Sequence, residues 1–205
     1  RQLMSVSEMS GLVMSVMKTR DKAIILLLAK TGIRRKELVQ IDVQDIDWDQ
    51  QSIRLKPTAK RTNQIVFFDD ECARILKKWL EIRNEADAKT DAVFINQQNN
   101  RLQRNGIYTV VTKHAENIGL HDPNSDRLVD KFTPHCCRHW FTTHLRRSEM
   151  KREYIKELRG DKREVDPMET YNHRDRKQFR ESYLTHIPQL TVQSFLIRGN
   201  GSFRR

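Results

Sequence analysis

Apolar residues recur every three or four positions over most of the chain, which is the spacing of amphipathic helices. Ser5 and Glu8 form a capping-box pattern before the first such stretch. A second stretch runs from about Asp21 and stops at Gly32, a residue suited to a left-handed helix end. The pattern resumes at once over residues 34–39, so the amino-terminal part is predicted to form three consecutive helices.

The pattern changes to β-like segments between residues 42 and 68. Residues 52–55 and 64–68 are largely apolar, and the stretch between them, 57–63, combines turn-forming residues with lysine and arginine. These segments predict a hairpin with a basic tip. Residues 93–95 predict one further short strand.

Helical spacing returns after the hairpin and continues along most of the remaining chain. Three further helices are predicted to start at Asp69 or Asp70, at Thr133 and Pro134, and near Asp166. Three others are predicted to cover residues 107–118, residues 154–159 before Gly160, and residues 176–186. The whole pattern predicts an α+β fold that is mostly α-helical, with a small antiparallel β-sheet.

The composition indicates a basic domain with a polyanionic partner. Lysine and arginine number 38 against 27 acidic residues, which gives a net charge of +11. The 37% of hydrophobic residues can supply the core of one compact domain. A charge excess of this size exceeds what solubility requires, and it favours binding to a polyanion.

Membrane, disulfide and zinc-ribbon classes are not indicated by the sequence. The longest apolar run, residues 24–29, is far shorter than the roughly 20 residues that span a bilayer, and the amino terminus lacks a signal-peptide pattern. The three cysteines include an adjacent pair and no CxxC spacing. We therefore expect a cytoplasmic protein with reduced thiols.

The first candidate for anion binding is Arg34, which follows Gly32 and begins a new helix. The exposed amides of a helix amino terminus favour an anion beside its guanidinium group. Glu37, one turn later, can orient Arg34 through a hydrogen bond, or it can pair with Arg35 or Lys36. The alternative is an exposed arginine that follows a helix cap and has no functional role.

The second candidate pair is His135 and Arg138, which are three residues apart and therefore share one helix face. An imidazole and a guanidinium group at a helix start suit a phosphate. Cys136, Cys137 and His139 extend the group to a conceivable metal site, but adjacent cysteines point to different sides of a helix, so no metal site is predicted. The alternative is buried cysteines and histidines with ordinary hydrogen bonds.

The third candidate is Tyr171, which has basic and polar neighbours. A lone tyrosine usually packs in a core, but here the order of the motifs is informative. TGIRRKEL at residues 31–38 is followed by the basic hairpin tip, HCCRHW at 135–140, LRGD at 158–161 and then the tyrosine. In this order, from about residue 5 to residue 190, the sequence resembles the catalytic domain of tyrosine recombinases, the phage-integrase family.

The resemblance implies a role for each of these residues. Arg34 matches the family's first catalytic arginine, and His135 and Arg138 match its H-x-x-R pair. Tyr171 matches the nucleophile that attacks a DNA phosphate, with Tyr183 as the second choice. The two guanidinium groups and the imidazole would stabilise the charge of the transition state.

The resemblance also implies a lysine on the hairpin as the general acid that protonates the leaving 5′-oxygen. Lys60, shortly before the second apolar segment, fits this role, and Lys56 is its rival because hairpin lengths vary in the family. Arginine, lysine and histidine then supply the positive charge at the phosphate, so neither a metal nor a cofactor is implied.

One position departs from the family pattern. The family usually has Leu-Gly-His before the tyrosine, whereas this chain has Leu158, Arg159, Gly160 and Asp161. An ionised aspartate cannot donate a hydrogen bond to a phosphate. We expect Asp161 to orient an arginine instead; the alternatives are a weakened site, or Arg159 or Lys162 in the missing role. The LRGD form also resembles integrases from archaeal plasmids and viruses.

The resemblance implies a helical bundle with a small β-sheet and the activity of a site-specific recombinase or integrase. Such an enzyme cleaves and rejoins double-stranded DNA through a 3′-phosphotyrosyl intermediate, and dimers or tetramers would assemble on the DNA. It would be cytoplasmic and associated with the nucleoid. Two alternatives stay open: strand cleavage and religation like that of a type IB topoisomerase, and a DNA-binding module that does not cleave.

Residues 1–190 are predicted to be the catalytic domain, and residues 191–205 a tail that is irregular or docks on a neighbouring protomer. Family members usually have an amino-terminal DNA-binding domain, and the chain starts at Arg1 without it, so an isolated catalytic domain is expected. Six basic residues are expected to neutralise duplex phosphates: Lys56, Arg61, Arg101, Arg104, Lys113 and Arg146.

Overall fold

The computed structural model describes residues 4–58, 61–161 and 176–191. These residues form the helices α1 (Val6–Ser15), α2 (Thr19–Thr31), α3 (Arg35–Leu38), α4 (Asp70–Glu85), α5 (Arg104–Glu116), α6 (Pro134–Arg147), α7 (Arg152–Arg159) and α8 (Arg176–His186). The strands are β1 (Ile46–Asp47), β2 (Ser52–Arg54) and β3 (Ile65–Phe67), and single 3-10 turns occur at Val43–Asp45 and Leu128–Asp130.

Helix α2 is the centre of the fold, and residues 23–31 within it are all buried. Its apolar residues cover every face, as expected for a helix that is surrounded by protein. It packs against α4 and α6, and it also contacts α1 and α5. The segments that carry Arg34 and Arg138 therefore lie against one rigid core helix.

A buried lysine joins this core to residues 188–190, near the end of the last described segment. Lys30 is fully buried in α2, and its Nζ lies 2.6 Å from Asp69 Oδ2 and also contacts the Glu71 carboxylate and the Pro188 carbonyl. Glu71 in turn accepts a hydrogen bond from the Leu190 amide at 2.7 Å. A buried lysine requires such partners, since an unpaired charge in a core is strongly destabilising.

The three strands form an antiparallel sheet in the order β1, β2, β3. Ile53 of β2 pairs with Ile46 on one side and Val66 on the other, and all three side chains are buried. Phe67 of β3 packs edge-on against Phe179 of α8, with ring centroids 5.3 Å apart. The predicted hairpin and the predicted fold class, mostly helical with a small antiparallel sheet, are both confirmed.

The helix-end signals in the sequence are confirmed. Ser5 and Glu8 form the capping box of α1, and Asp69 caps α4 by accepting the amide of Cys72 at 3.1 Å. Gly32 and Gly160 end α2 and α7 with φ values of 61° each, in the left-handed region where glycine carries no steric penalty.

The predicted strand at residues 93–95 is wrong. The segment makes isolated bridges instead, because its backbone is shared between different neighbours: the Val93 amide donates to the Ile41 carbonyl, whereas the Phe94 carbonyl accepts from Leu102. The short helix predicted near Asp166 lies outside the described residues. Among the described helices, none combines the length and apolar character needed to cross a bilayer.

Candidate active site

Three of the predicted site residues line one open cleft. Arg34, His135 and Arg138 surround a volume of about 400 Å³ between the start of α3 and the start of α6. Arg35, Lys36, Arg104, Tyr108 and Thr133 also line the cleft. The fold therefore places residues from distant parts of the chain around one strongly basic cleft.

Arg138 is the buried member of the group, with 6% of its surface exposed. Its Nη1 donates to the Gly32 carbonyl at 2.7 Å, and its Nη2 donates to the Arg159 carbonyl at 3.0 Å and to Asp161 Oδ1 at 3.2 Å. These bonds use three of the five guanidinium donors, and the described residues supply no partner for the other two. Two fixed donors are thus available to a ligand in the cleft.

Burial lowers the pKa of Arg138 to about 10, and the charges of Arg34 and Arg159 act in the same direction. The negative charge of Asp161 opposes this shift. Arg138 therefore remains a cation at neutral pH, although it is the most desolvated positive charge at the cleft. An anionic ligand would relieve the repulsion among these guanidinium groups.

Arg34 is the N-cap residue of α3, and about a third of its side chain is exposed. Its Nη1 donates to Glu37 Oε1 at 3.0 Å, and its backbone amide donates to Glu37 Oε2 at 2.7 Å. Burial alone would raise the pKa of Glu37, but the charge of Arg61 and the hydrogen bond from Arg34 outweigh it, and the pKa lies below its ordinary value. Glu37 is therefore an anion that holds Arg34.

Asp161 lies between the two guanidinium groups. Its Oδ1 is 3.2 Å from Arg138 Nη2 and 3.8 Å from Arg34 Nη2. Its Oδ2 lies 2.9 Å from Arg159 Nε, an ion pair without the alignment of a hydrogen bond. This geometry matches the expectation that Asp161 pairs with an arginine, while its effect on catalysis stays a prediction.

His135 is the second residue of α6 and is exposed at the cleft. Pro134 occupies the first turn, as predicted, and the Thr133 amide donates to Cys136 Sγ at 3.3 Å. Cys136 and Cys137 are both buried, as expected for small apolar side chains. In the described ranges no three His, Cys, Asp or Glu residues are arranged to hold a metal ion.

Lys60 and Tyr171, the implied general acid and nucleophile, lie outside the described residues. The rival lysine, Lys56, is held by Asp45 Oδ1 at 2.8 Å and Asp42 Oδ2 at 3.2 Å. The hydrogen bond to Asp45 is the main reason why the pKa of Lys56 lies above its ordinary value. A higher pKa makes a weaker acid, so these contacts disfavour Lys56 as the proton donor.

Tyr183, the second choice as nucleophile, is fully buried in α8. Its hydroxyl donates to the Lys30 carbonyl at 3.0 Å, and burial raises its pKa well above the ordinary value. A phenol that is closed off from solvent and held in its neutral form cannot reach a DNA phosphate. This alternative is wrong, because the side chain belongs to the core.

Three of the six residues expected to contact DNA phosphates are bound within the chain instead. Arg61 is buried, Lys56 is held by two carboxylates, and Arg101 donates to the Val39 carbonyl at 2.8 Å and to Asp42 at 2.5 Å. The expectation is wrong for Arg61, whose side chain has no exposed surface. The other three, Arg104, Lys113 and Arg146, are exposed.

Arg61 is the residue of this region that sequence reasoning missed. It belongs to a run of basic residues at a hairpin tip, where exposure is the default expectation. Its Nε donates to Glu37 Oε1 at 3.1 Å, and its Nη1 donates to the Leu158 carbonyl at 3.2 Å. Both partners are distant in the sequence, so no local signal identifies them.

Comparison with known proteins places these features in one family. Residues 1–178 match the model of the phage integrase family. The tyrosine recombinase XerC of Corynebacterium glutamicum is 29% identical over 164 residues, which cover 80% of this chain and 50% of the relative. XerC of Herpetosiphon aurantiacus is 34% identical over 148 residues, covering 69% of this chain and 44% of the relative.

The fold agrees with these similarities. A crystal structure of XerA recombinase superposes with a TM-score of 0.70 at 26% identity, covering 92% of this chain and 66% of that one. The chain spans about half the length of the curated relatives it matches. Because the family match includes both arginine-bearing segments of the cleft and most of the chain, the chain belongs to the phage integrase family.

Proposed function

We propose that the chain is the catalytic domain of a site-specific DNA recombinase or integrase, which cleaves and rejoins strands through a 3′-phosphotyrosyl intermediate. The observation that carries the proposal is the position of Asp161 Oδ1, which is 3.2 Å from one guanidinium group and 3.8 Å from the other. Arg34 and Arg138 are therefore close enough to act on one phosphate, and both line the cleft.

In the proposed reaction the phenolic oxygen of Tyr171 attacks the scissile phosphorus and releases its proton to water. The bond from phosphorus to the 5′-oxygen breaks, and Lys60 transfers a proton to that oxygen as general acid. Arg34, Arg138 and His135 stabilise the charge that develops on the non-bridging oxygens. The new phosphotyrosyl ester retains the bond energy, so a 5′-hydroxyl from another strand can reverse the step.

The partner in this proposal is double-stranded DNA. Exposed Arg104, Lys113 and Arg146 would contribute affinity that falls with salt and carries little sequence information. Strand exchange joins two duplexes, so dimers or tetramers would assemble on the DNA. The XerC relatives, which are named tyrosine recombinases, support recombination over a topoisomerase-like activity.

The proposed division of the chain is a catalytic domain over residues 1–190 and a tail over 191–205 that is irregular or docks on a neighbouring protomer. The contacts of Leu190 and Thr191 support a boundary at this point, because both amides donate to the buried Glu71 carboxylate at 2.7 and 2.8 Å. A cytoplasmic, nucleoid-associated location accompanies the proposal, since the proposed substrate is double-stranded DNA.

Covalent trapping tests the proposed function. We expect incubation with a fluorescent library of nicked duplexes of randomised sequence to give a protein–DNA band on a denaturing gel, and the band should form equally in EDTA. The cations of the cleft already supply the charge that divalent ions supply in other phosphoryl-transfer sites. When cleavage occurs close to the nick, the short fragment that carries the new 5′-hydroxyl dissociates from the duplex. Without this hydroxyl the strand cannot be religated, so the adduct accumulates.

Two outcomes would contradict the proposal. Absence of any adduct with duplexes that the protein binds would favour a DNA-binding module without cleavage. Strict dependence on Mg²⁺ would contradict charge stabilisation by the arginines and histidine. The duplex that gives the most adduct serves as the selected substrate for the rate measurements below.

Asp161 provides a second test of the site. We expect Asp161→Asn and Asp161→His to slow single-turnover cleavage of the selected substrate by about tenfold to a hundredfold, because the carboxylate holds Arg138 in position. Asp130, a half-buried carboxylate that pairs with Arg127 and does not line the cleft, gives the matched control Asp130→Asn. Rates equal to that of the parent in both Asp161 variants would make this residue peripheral.

A further inference from the structure

Arg61 is a buried arginine that does not line the cleft but donates hydrogen bonds to two segments distant in the sequence. Arg61 is 5% exposed as a residue, and its side chain is fully inaccessible. Its Nε donates to Glu37 Oε1 at 3.1 Å, and the same oxygen accepts the bond from Arg34 Nη1 at 3.0 Å. One carboxylate oxygen thus joins the buried arginine to the arginine at the cleft.

The other end of the Arg61 side chain holds the end of α7. Its Nη1 donates to the Leu158 carbonyl at 3.2 Å and to the Asn63 carbonyl at 2.8 Å, while Nη2 lies 3.4 Å from the Leu158 carbonyl. Leu158 is in the last turn of α7, where carbonyls have no partner within the helix. A cation there also complements the negative end of the helix dipole.

The connection between β2 and β3 and the end of α7 approach so closely that only glycine fits at residue 160. A Cβ atom on Gly160 would lie 2.5 Å from Arg61 Cγ, and the residue has φ 61°. The neighbouring Thr62 adds two bonds across the same junction, from its amide to the Gly160 carbonyl at 3.3 Å and from its hydroxyl to the Asp161 carbonyl at 3.1 Å. Asp161 is therefore held beside Arg138 and Arg34 by a backbone that is fixed against the hairpin.

From these contacts we infer that Arg61 is a positioning residue for DNA cleavage, acting on Arg34 through Glu37 and on Arg138 through the end of α7 that carries Asp161. The inference rests on the proposed function. Arg61 itself touches no substrate, since its guanidinium group is enclosed by protein.

Stability alone is a poor explanation for this buried arginine. Replacing a buried ion pair with well-packed apolar residues is often neutral or stabilising, because desolvation offsets most of the Coulomb attraction. The pairing does fix geometry, however, since a planar guanidinium group joins three separate segments at defined distances. A shift of about 1 Å at a catalytic group is enough to cost roughly a hundredfold in rate.

A double-mutant cycle with Arg34 tests the inference. We expect Arg61→Gln to lower the single-turnover cleavage rate of the selected substrate by about tenfold to a hundredfold. In the Arg34→Ala background, the same change should cost less than about threefold, because residues that act through one another are not additive. Arg61→Lys, which keeps a charge for Glu37 but cannot also hold Leu158, should fall between parent and Arg61→Gln.

Arg83 supplies the matched control. It is buried to a similar degree and donates to the Ala92 carbonyl at 2.8 Å, but its contacts lie away from the cleft. Arg83→Gln should lower the melting temperature without changing the cleavage rate of the folded protein. If Arg61→Gln does not fold, Arg61→Lys takes its place in the cycle.

The possible results separate the inference from the function on which it rests. No adduct from the parent protein would contradict the proposed function itself. An adduct from the parent, together with equal losses for Arg61→Gln in both backgrounds, would overturn the positioning role. A loss in melting temperature alone, as for Arg83→Gln, would do so as well.

Discussion

Replacement of Tyr171 with phenylalanine is expected to abolish the covalent protein–DNA adduct while leaving duplex binding almost unchanged. The change removes only the nucleophilic oxygen, so no ester to phosphorus can form. The cationic cleft around Arg34 and Arg138 is retained, and it supplies the affinity for phosphate. Denaturing gels measure the adduct, and native gels on the same samples measure binding.

Tyr183→Phe is the matched control, because it removes the same atom from the other tyrosine considered as nucleophile. Its hydroxyl is buried and bonded to the Lys30 carbonyl, so the expected loss is about 1 kcal/mol of stability with full adduct formation. An adduct that persists in Tyr171→Phe would move the nucleophile to another residue. Loss of the adduct in Tyr183→Phe at an unchanged melting temperature would contradict its assignment to the core.

Arg138→Lys is expected to lower the single-turnover cleavage rate by about 10² to 10³, the typical effect of removing a donor that stabilises transition-state charge. Lysine keeps the charge but lacks the planar array of donors. It cannot contact the Gly32 carbonyl, the Arg159 carbonyl and Asp161 together while directing further donors into the cleft. A lower melting temperature is also expected, because buried carbonyls lose their partners.

Arg147→Lys is the control for this variant. Arg147 lies on the same helix, α6, and is exposed, so the same substitution there should leave the rate within about twofold of the parent. Cleavage by Arg138→Lys at the parent rate would show that the bidentate geometry of this guanidinium group is not required. The roles of Arg34 and Arg138 as a pair would then need revision.

Much of the fold follows from local signals in the sequence. The capping box of Ser5 and Glu8, the C-caps at Gly32 and Gly160, and the N-cap at Asp69 each depend on residues within one helical turn. Periodicity over longer stretches also predicted the hairpin and the helices that the structure describes, whereas the helix predicted near Asp166 lies outside the described residues. The segment at residues 93–95 was mistaken for a strand because pairing depends on which partners the tertiary structure offers.

The candidate site shows the same division between local and distant information. His135 and Arg138 share a helix, so their common position at the cleft could be predicted from a three-residue spacing. The link from Arg61 to Glu37 and Leu158 could not be predicted from the sequence, since the three residues lie in separate segments and a basic hairpin tip is usually exposed. The expectation that Asp161 pairs with an arginine rested on charge alone, and its distances to Arg138 and Arg34 required the structure.

The most direct test of the central claim is identification of the amino acid and the DNA end in the covalent adduct. The selected nicked duplex is incubated with the protein, the adduct is digested with a protease, and the peptide that carries the nucleotide is sequenced by mass spectrometry. The account predicts an ester between the Tyr171 oxygen and a 3′-phosphate, with a free 5′-hydroxyl on the released fragment. Linkage to another residue or to a 5′-phosphate would contradict it.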